Sequence, residues 1–246
     1  MPRKSRQLLP SFPCLVLQRG HNNSNCFFDE KDFQFYLDSL CKAKNKYQVR
    51  VHAYVLMQDH IHLLLTPTDS TGISRLMQSL GRCYVQYFNE RYRRSGTLWE
   101  GRYRAACVQP DKKYLLASYR YVEMNPVRPN LVSHPGKYHW SSYHHNACGI
   151  MDRLITEHPV YSDMTYTPES TRSEYERFCS SSMDRIIIQQ IRRSLNSSRP
   201  YGDEDFAKYL ELLCSASKSM GRYIQTNSYF ELTDINYNFP QMTLTQ

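Results

Sequence analysis

The sequence contains no long hydrophobic run, and this absence excludes a membrane-spanning helix. Such a helix needs about twenty apolar residues in succession, and no stretch of even about eighteen occurs among the 246 residues. The basic residues 1–6 are not followed by an apolar segment, so a secretory signal is not predicted. We therefore expect neither a membrane partner nor secretion.

The sequence also lacks any CxxC pair, although it has eight cysteines. Zinc sites and the disulfide scaffolds of small secreted proteins usually show close, regular cysteine spacing. The eight cysteines here are widely and irregularly spaced. We therefore expect reduced thiols in a cytoplasmic protein.

Acidic residues are scarce in the first part of the chain. Residues 1–146 contain 21 Lys and Arg against 10 Asp and Glu, whereas residues 147–246 contain 10 against 13. The net charge of +8 therefore arises from the first part. A basic surface suits a polyanion, with nucleic acid favoured over an acidic membrane. A merely solvated cationic surface is the alternative.

Hydrophobic periodicity predicts the order β-α-β-β-α-β-α in the first part of the chain. The predicted strands are residues 13–20, 49–56, 57–65 and 103–108, and the predicted helices are residues 30–46, 73–92 and 111–125. This order is the split βαβ, ferredoxin-like plan of the α+β class, in which helices pack on an antiparallel sheet.

A change in composition predicts a domain boundary near residue 146. Residues 1–146 form the first predicted domain, and residues 147–246, which are richer in acidic residues and Ser, form a mostly helical C-terminal extension. Helical spacing recurs at residues 183–195 and 203–214. The polar tail from about residue 220 is predicted to be disordered.

Two histidines, His60 and His62, lie in an apolar, β-prone run. Alternate strand residues share a face, so both imidazoles would project together as metal ligands can. Tyr121 and Asn125 are four residues apart in a predicted helix and would also share a face. Together they suggest a Mg²⁺ or Mn²⁺ ion, a carboxamide that completes its shell, and a hydroxyl nucleophile. Alternatively, the histidines are structural.

The segment 93–104 combines basic and aromatic residues around two glycines. Guanidinium groups bind phosphates and aromatic rings stack on unpaired bases, so this composition predicts a contact with single-stranded or hairpin DNA. The candidate residues are Arg93, Arg94, Trp99, Arg102, Tyr103 and Arg104. The alternative is a solvated turn with one buried Trp.

Three segments of the sequence resemble the REP-associated tyrosine transposases, a branch of the single-tyrosine HUH transposases. The segments are His52 to Leu64, Gly96 to Tyr103 and Tyr121 to Arg128, and the resemblance covers about residues 1–146. The chain departs from the family at Asp59, where Asn is usual, and at Cys14-Leu15, where Tyr-His is common.

The resemblance implies a ferredoxin-like nuclease core in which His60 and His62 bind a divalent ion. It also implies that Asn125 takes the place of the third metal ligand. It implies that Tyr121 attacks a DNA strand to form a 5′-phosphotyrosine link, and that the protein recognises short hairpins in single-stranded DNA. Arg128, in the third segment, joins the DNA-binding candidates. Monomer and homodimer both remain open.

Two other functions are possible on the same fold. One is a non-catalytic nucleic-acid-binding module with structural histidines, and the other is a regulator that has lost DNA cleavage. The combination of Tyr121, His60, His62 and Asn125 argues against both, because a binding protein does not need a nucleophile beside metal ligands.

Overall fold

A computed structural model describes residues 8–219, in which four strands form one antiparallel sheet. The strands are β1 (Cys14–Arg19), β2 (Val49–Leu56), β3 (His60–Pro67) and β4 (Arg104–Cys107). Their order is β2-β3-β1-β4, so β3 and β1 occupy the middle of the sheet. The predicted α+β class and the predicted order of the first seven elements along the chain are confirmed.

Three helices of the first part cover the sheet, and each lies close to its predicted range. They are α1 (Glu30–Lys46), α2 (Gly72–Arg91) and α3 (Lys112–Glu123). The side chain of Asp29 caps the N-terminus of α1, and that of Asp111 caps α3 by accepting a hydrogen bond from the backbone N–H of Tyr114. Helix α3 ends just before Pro126, which disfavours helical geometry in the preceding residue.

Alternate residues of the sheet face two different cores. Cys14 and Val16 of β1 face the core with α1 and α2, whereas Leu15 and Leu17 face the core with α3. Burial of each such Leu stabilises the fold by about 1.5–3 kcal/mol. Tyr119 of α3 is fully buried in this second core. Helices therefore cover both faces of the sheet.

The described part of the extension contributes to both cores. A short helix, α4 (Tyr143–Asn146), ends at the predicted boundary. The helices of the extension are α5 (Pro159–Ser162), α6 (Pro168–Ser180), α7 (Arg185–Ser197) and α8 (Glu204–Ser219). Ile191 and Leu195 of α7 pack on the α3 side, whereas Phe206 and Leu210 of α8 pack on the α1 and α2 side. Helices α7 and α8 confirm the predicted helical spacing; the tail predicted to be disordered lies outside the described residues.

Backbone bridges from later segments contact both outer strands. Beside β4, the N–H of Tyr201 donates to the carbonyl of Cys107 at 2.7 Å. Beside β2, Ser141 and Ile155 form isolated bridges with strand residues. Segments after residue 140 therefore pair with backbone N–H and C=O groups that would otherwise be unpaired on an outer strand.

All eight cysteines lie within the described residues, and no disulfide bond joins any of them there. Cys14 and Cys107 are partners across β1 and β4, with their Sγ atoms 3.4 Å apart. The hydrogen bond between them and burial raise the pKa of the Cys14 thiol well above its usual value. Within residues 8–219, no helix is long and apolar enough to cross a membrane.

Candidate active site

The two histidines project from β3 towards α3, on the same face of the sheet. Their ring centroids are 5.3 Å apart, and the ring planes are nearly perpendicular. The register places His62 beside Leu17 and His60 beside Arg19 on the neighbouring strand. The structure therefore brings the imidazoles together, as the alternation of strand side chains predicts.

Asp59 orients the ring of His60. The Nδ1 of His60 lies 2.7 Å from the Oδ1 of Asp59, and this hydrogen bond is the main cause of the lowered pKa of the Asp59 carboxyl. An ionised carboxylate accepts a hydrogen bond from Nδ1–H, which leaves the lone pair of Nε2 free to bind a cation. The departure from the family at Asp59 thus supplies a carboxylate that supports the first histidine.

His62 is buried and keeps an unpaired ring nitrogen. Only 2 % of its surface is exposed, and its Nδ1 has no hydrogen-bond partner among the described residues. Burial lowers the pKa of His62 well below its usual value, and the nearby charges of His60 and Arg128 lower it further. The ring is therefore neutral at pH 7, and an orphaned imidazole nitrogen fits a metal-ligand role.

Tyr121 of α3 lies against His62. Their ring centroids are 5.2 Å apart, and the two planes meet at 84° in an edge contact. Tyr121 is 4 % exposed and lines a cavity. The helix thus brings a phenol from sixty residues away to the histidine pair, as the sequence analysis expects.

Arg128 contacts both the ring and the backbone of Tyr121. Its guanidinium carbon is 4.4 Å from the centroid of the phenol ring, and its Nη2 donates to the backbone carbonyl of Tyr121 at 2.8 Å. Burial lowers the pKa of Arg128 to about 10, so it remains charged at neutral pH. Its Nε and Nη1 find no acceptor within the described part of the chain. Arg128 therefore places a positive charge beside the ring of Tyr121 rather than on an exposed surface.

Asn125 follows the last turn of α3 and is 7 % exposed. Its backbone N–H donates to the carbonyl of Val122 at 3.2 Å, which keeps it close to the helix end. Residues 8–219 contain no cluster of three His, Cys, Asp or Glu side chains that could hold a metal ion. A metal at the histidine pair would therefore need another kind of ligand, such as the carboxamide of Asn125.

The aromatic residues of the basic segment are not available for base stacking. Trp99 is 5 % exposed and Tyr103 is 9 % exposed, and both belong to the core with α1 and α2, on the side of the sheet opposite to His62. The hydroxyl of Tyr103 is 2.9 Å from that of Ser74 in α2. Their predicted stacking role is thus corrected, because long-range packing with α1 and α2 buries both rings.

The arginines of that segment remain near the surface. Arg93, Arg94 and Arg102 are exposed, whereas Arg104 is half-buried in β4. Arg104 lines the cavity beside Tyr121, together with two arginines that the sequence analysis missed, Arg19 and Arg192. Arg19 could have been found from the register of β1 beside β3, whereas nothing in the local sequence of the extension indicates Arg192.

A buried carboxylate, also missed, anchors α3 to the extension. Glu123 is fully buried and accepts hydrogen bonds from Ser142, Asn146 and the hydroxyl of Tyr175. Burial raises its pKa to about 7, although the three donors act in the opposite direction. Glu123 thus fixes the C-terminal half of the helix that carries Tyr121.

Comparisons with known proteins find similarity to transposases. The model of the IS200-like transposases matches residues 19–125, a range that contains His60, His62, Tyr121 and Asn125. The structure is similar to that of a REP-associated tyrosine transposase bound to a REP hairpin, with a TM-score of 0.50, 17 % identity, and coverage of 64 % of this chain and 93 % of that chain.

A second solved structure, a putative transposase from Deinococcus radiodurans R1, has a TM-score of 0.35 and 18 % identity, and the match covers 44 % of this chain and 87 % of that chain. No curated protein matches the chain significantly. At these identities the structural likeness concerns the fold.

Proposed function

We propose that the chain cleaves and rejoins single-stranded or hairpin DNA through Tyr121. The match of residues 19–125 to the IS200-like transposases supports this proposal. The observation that carries this proposal is the edge contact between the rings of Tyr121 and His62. This contact places the phenol of α3 beside the histidine pair of β3. The hairpin bound by the REP-associated relative and the basic first part of the chain support DNA as the substrate.

We propose His60, His62 and Asn125 as the residues that hold a divalent cation, Mg²⁺ or Mn²⁺. The unpaired nitrogen of buried His62 and the Asp59-supported ring of His60 fit this group. When bound, such a cation polarises a non-bridging phosphate oxygen and offsets charge at the phosphorus. Neutral imidazoles and an amide oxygen suit either metal.

The reaction is a transfer of a phosphodiester to a phenol. The Oη of Tyr121 attacks the phosphorus, the bond to the 3′ oxygen breaks, and the 5′ phosphate becomes esterified to Tyr121. The phenol loses one proton and the departing 3′ oxygen gains one. Rejoining is the reverse attack by a free 3′ hydroxyl. Arg128 holds the ring of Tyr121 and places a positive charge where the phosphate arrives.

A covalent adduct with labelled DNA tests this function. The full chain is incubated with hairpin-containing single-stranded DNA and Mn²⁺ or Mg²⁺, and the products are separated on a denaturing gel. We expect an adduct that chelator prevents and that Tyr121→Phe abolishes without loss of DNA binding. Tyr166→Phe, a change at a fully exposed tyrosine, is the matched control and should form the adduct normally.

An adduct that persists in Tyr121→Phe would contradict the assignment of the nucleophile. DNA binding by the unaltered protein with no adduct in either metal would favour a binding module or a regulator over an enzyme.

A further inference from the structure

The cavity beside Tyr121 is lined by arginines from three separate elements. Arg19 comes from the end of β1, Arg104 from β4 and Arg192 from α7 of the extension. Its volume is about 330 Å³. The remaining lining residues are Tyr121, Leu17, Leu195 and Asn196, so no acidic side chain of the described chain lines it. Three converging cations without a lining carboxylate favour an anion.

The packing of α7 determines where Arg192 points. Ile191 and Leu195 are buried against α3 and the sheet, which fixes the rotation of the helix. Residues three and four positions apart share a helix face, so Arg192, Leu195 and Asn196 border the same space. Arg192 itself is exposed, and its side chain is therefore open to a ligand from solvent.

Asn196 connects the extension to the sheet at this cavity. The Nη1 of Arg104 donates to the Oδ1 of Asn196, and Glu100 lies 4.0 Å from the other terminal nitrogen of Arg104. These contacts hold the guanidinium of Arg104 at the wall of the cavity. The charge of Arg192 also acts on Arg128, because it contributes to the lowered pKa of Arg128, of which burial is the main cause.

We propose that this cavity binds a backbone phosphate of the DNA strand beside Tyr121, and that Arg192 of the extension is one of its ligands together with Arg19 and Arg104. The inference rests on the proposed function for the identity of the anion, a phosphodiester of single-stranded DNA. A guanidinium binds two phosphate oxygens at once, which orients the strand as well as attracting it. The extension then completes the site, since residues 19–125 alone lack the third arginine.

Arg192→Gln and Arg193→Gln test the proposal as a matched pair. Both residues are exposed on the same helix and both changes remove one positive charge, but only Arg192 lines the cavity. The variants are made in the full chain, and thermal unfolding checks that both fold as the unaltered protein does. Binding of hairpin DNA is measured over a range of salt concentrations in the Tyr121→Phe background, where no covalent step can occur.

We expect Arg192→Gln to weaken binding roughly tenfold, as loss of a hydrogen bond to a charged group does. It should also reduce the slope of log K against log salt by roughly 0.7, the value for one phosphate contact on a single strand. With Tyr121 intact, its rate of adduct formation should fall at least as much. Arg193→Gln should change the affinity, the salt slope and the rate of adduct formation only by the small general effect of net charge.

Equal effects of the two substitutions, or no effect of Arg192→Gln, would overturn the phosphate site. These outcomes are separable from failure of the proposed function. If the unaltered protein forms an adduct but Arg192→Gln binds DNA normally, only the cavity proposal fails. If no adduct forms but Arg192→Gln selectively lowers the salt slope, the cavity still binds phosphate and only the enzymatic proposal fails.

Discussion

At the scale of single residues, the two histidines are held in different ways. His60 is partly exposed and its ring is oriented by Asp59, whereas His62 is buried beside Tyr121 with an unpaired Nδ1. A carboxylate behind a metal-binding imidazole fixes its tautomer and raises its basicity. If His60 holds a metal as proposed, its orientation therefore depends on Asp59, a side chain that itself need not contact the metal.

Replacement of Asp59 tests this dependence. Asp59→Ala should weaken Mn²⁺ binding by about 10–100-fold, the usual effect of losing such a supporting partner. Calorimetric titration of the full chain with Mn²⁺ measures the change. Asp205→Ala, which removes an exposed carboxylate on α8, should leave the affinity unaltered. If both variants bind Mn²⁺ as the unaltered protein does, Asp59 does not support a metal ligand.

At the scale of elements, α3 is fixed at both ends and along its length. Asp111 caps its start, Pro126 follows its end, and Glu123 accepts hydrogen bonds from Tyr175 of α6 and from two residues near α4. This anchoring keeps Tyr121 against His62, since the contact between them depends on how α3 lies on the sheet.

The raised pKa of Glu123 predicts a pH dependence of stability. Below the ordinary pKa of 4.5, Glu123 is protonated in both the folded and the unfolded chain. Between 4.5 and about 7 only the folded chain keeps the proton, so its contribution is fully present at low pH and is lost as the pH rises through 7. Relative to Glu123→Gln, the free energy of unfolding should fall by about 3 kcal/mol between pH 4.5 and 8.

Urea unfolding at several pH values measures this difference. Glu176→Gln, at an exposed position on α6, is the control and should keep the pH dependence of the unaltered protein. Identical pH profiles for Glu123→Gln and the unaltered protein would show that burial of Glu123 does not perturb its ionisation.

Local pattern was sufficient to predict the elements that build the site. The strand alternation of β3 and the capped, proline-terminated α3 are encoded in adjacent residues, and they bring His60, His62 and Tyr121 to one face. The burial of Trp99 was not predictable in this way, because it depends on contacts with α1 and α2. Helix α6 was also missed, since its few buried residues, such as Tyr175, lie in a polar, Ser-rich segment.

At the scale of the whole molecule, positive charge is spread over two regions of the first part. Arg19, Arg104 and Arg128 lie around Tyr121, whereas Arg93 and Arg94 are exposed after α2. Exposed arginines add to affinity through release of counterions from DNA and have no effect on chemistry once DNA is bound. Substitution of Arg93 and Arg94 should therefore weaken DNA binding without changing the rate of the chemical step, unlike substitution of the arginines around Tyr121.

The double substitution Arg93→Gln and Arg94→Gln tests this separation. It should lower the salt slope of single-stranded DNA binding by about 1.4, since each phosphate contact contributes about 0.7. The rate of adduct formation at saturating DNA should be unaltered. The corresponding double substitution at Arg153 and Arg177, two exposed arginines of the extension, should leave the slope nearly unchanged. A decrease in rate at saturation would place Arg93 and Arg94 in the reacting complex.

The bridges made by Ser141, Ile155 and Tyr201 have a consequence for synthesis of the chain. The last of the four strands ends at Cys107, so all four leave the ribosome before the segments that contact β2 and β4. In that interval the nascent sheet exposes unpaired backbone groups, the feature that drives self-association of β-proteins. A chain that stops at residue 146 would keep this liability on β4 permanently, so aggregation is its expected fate.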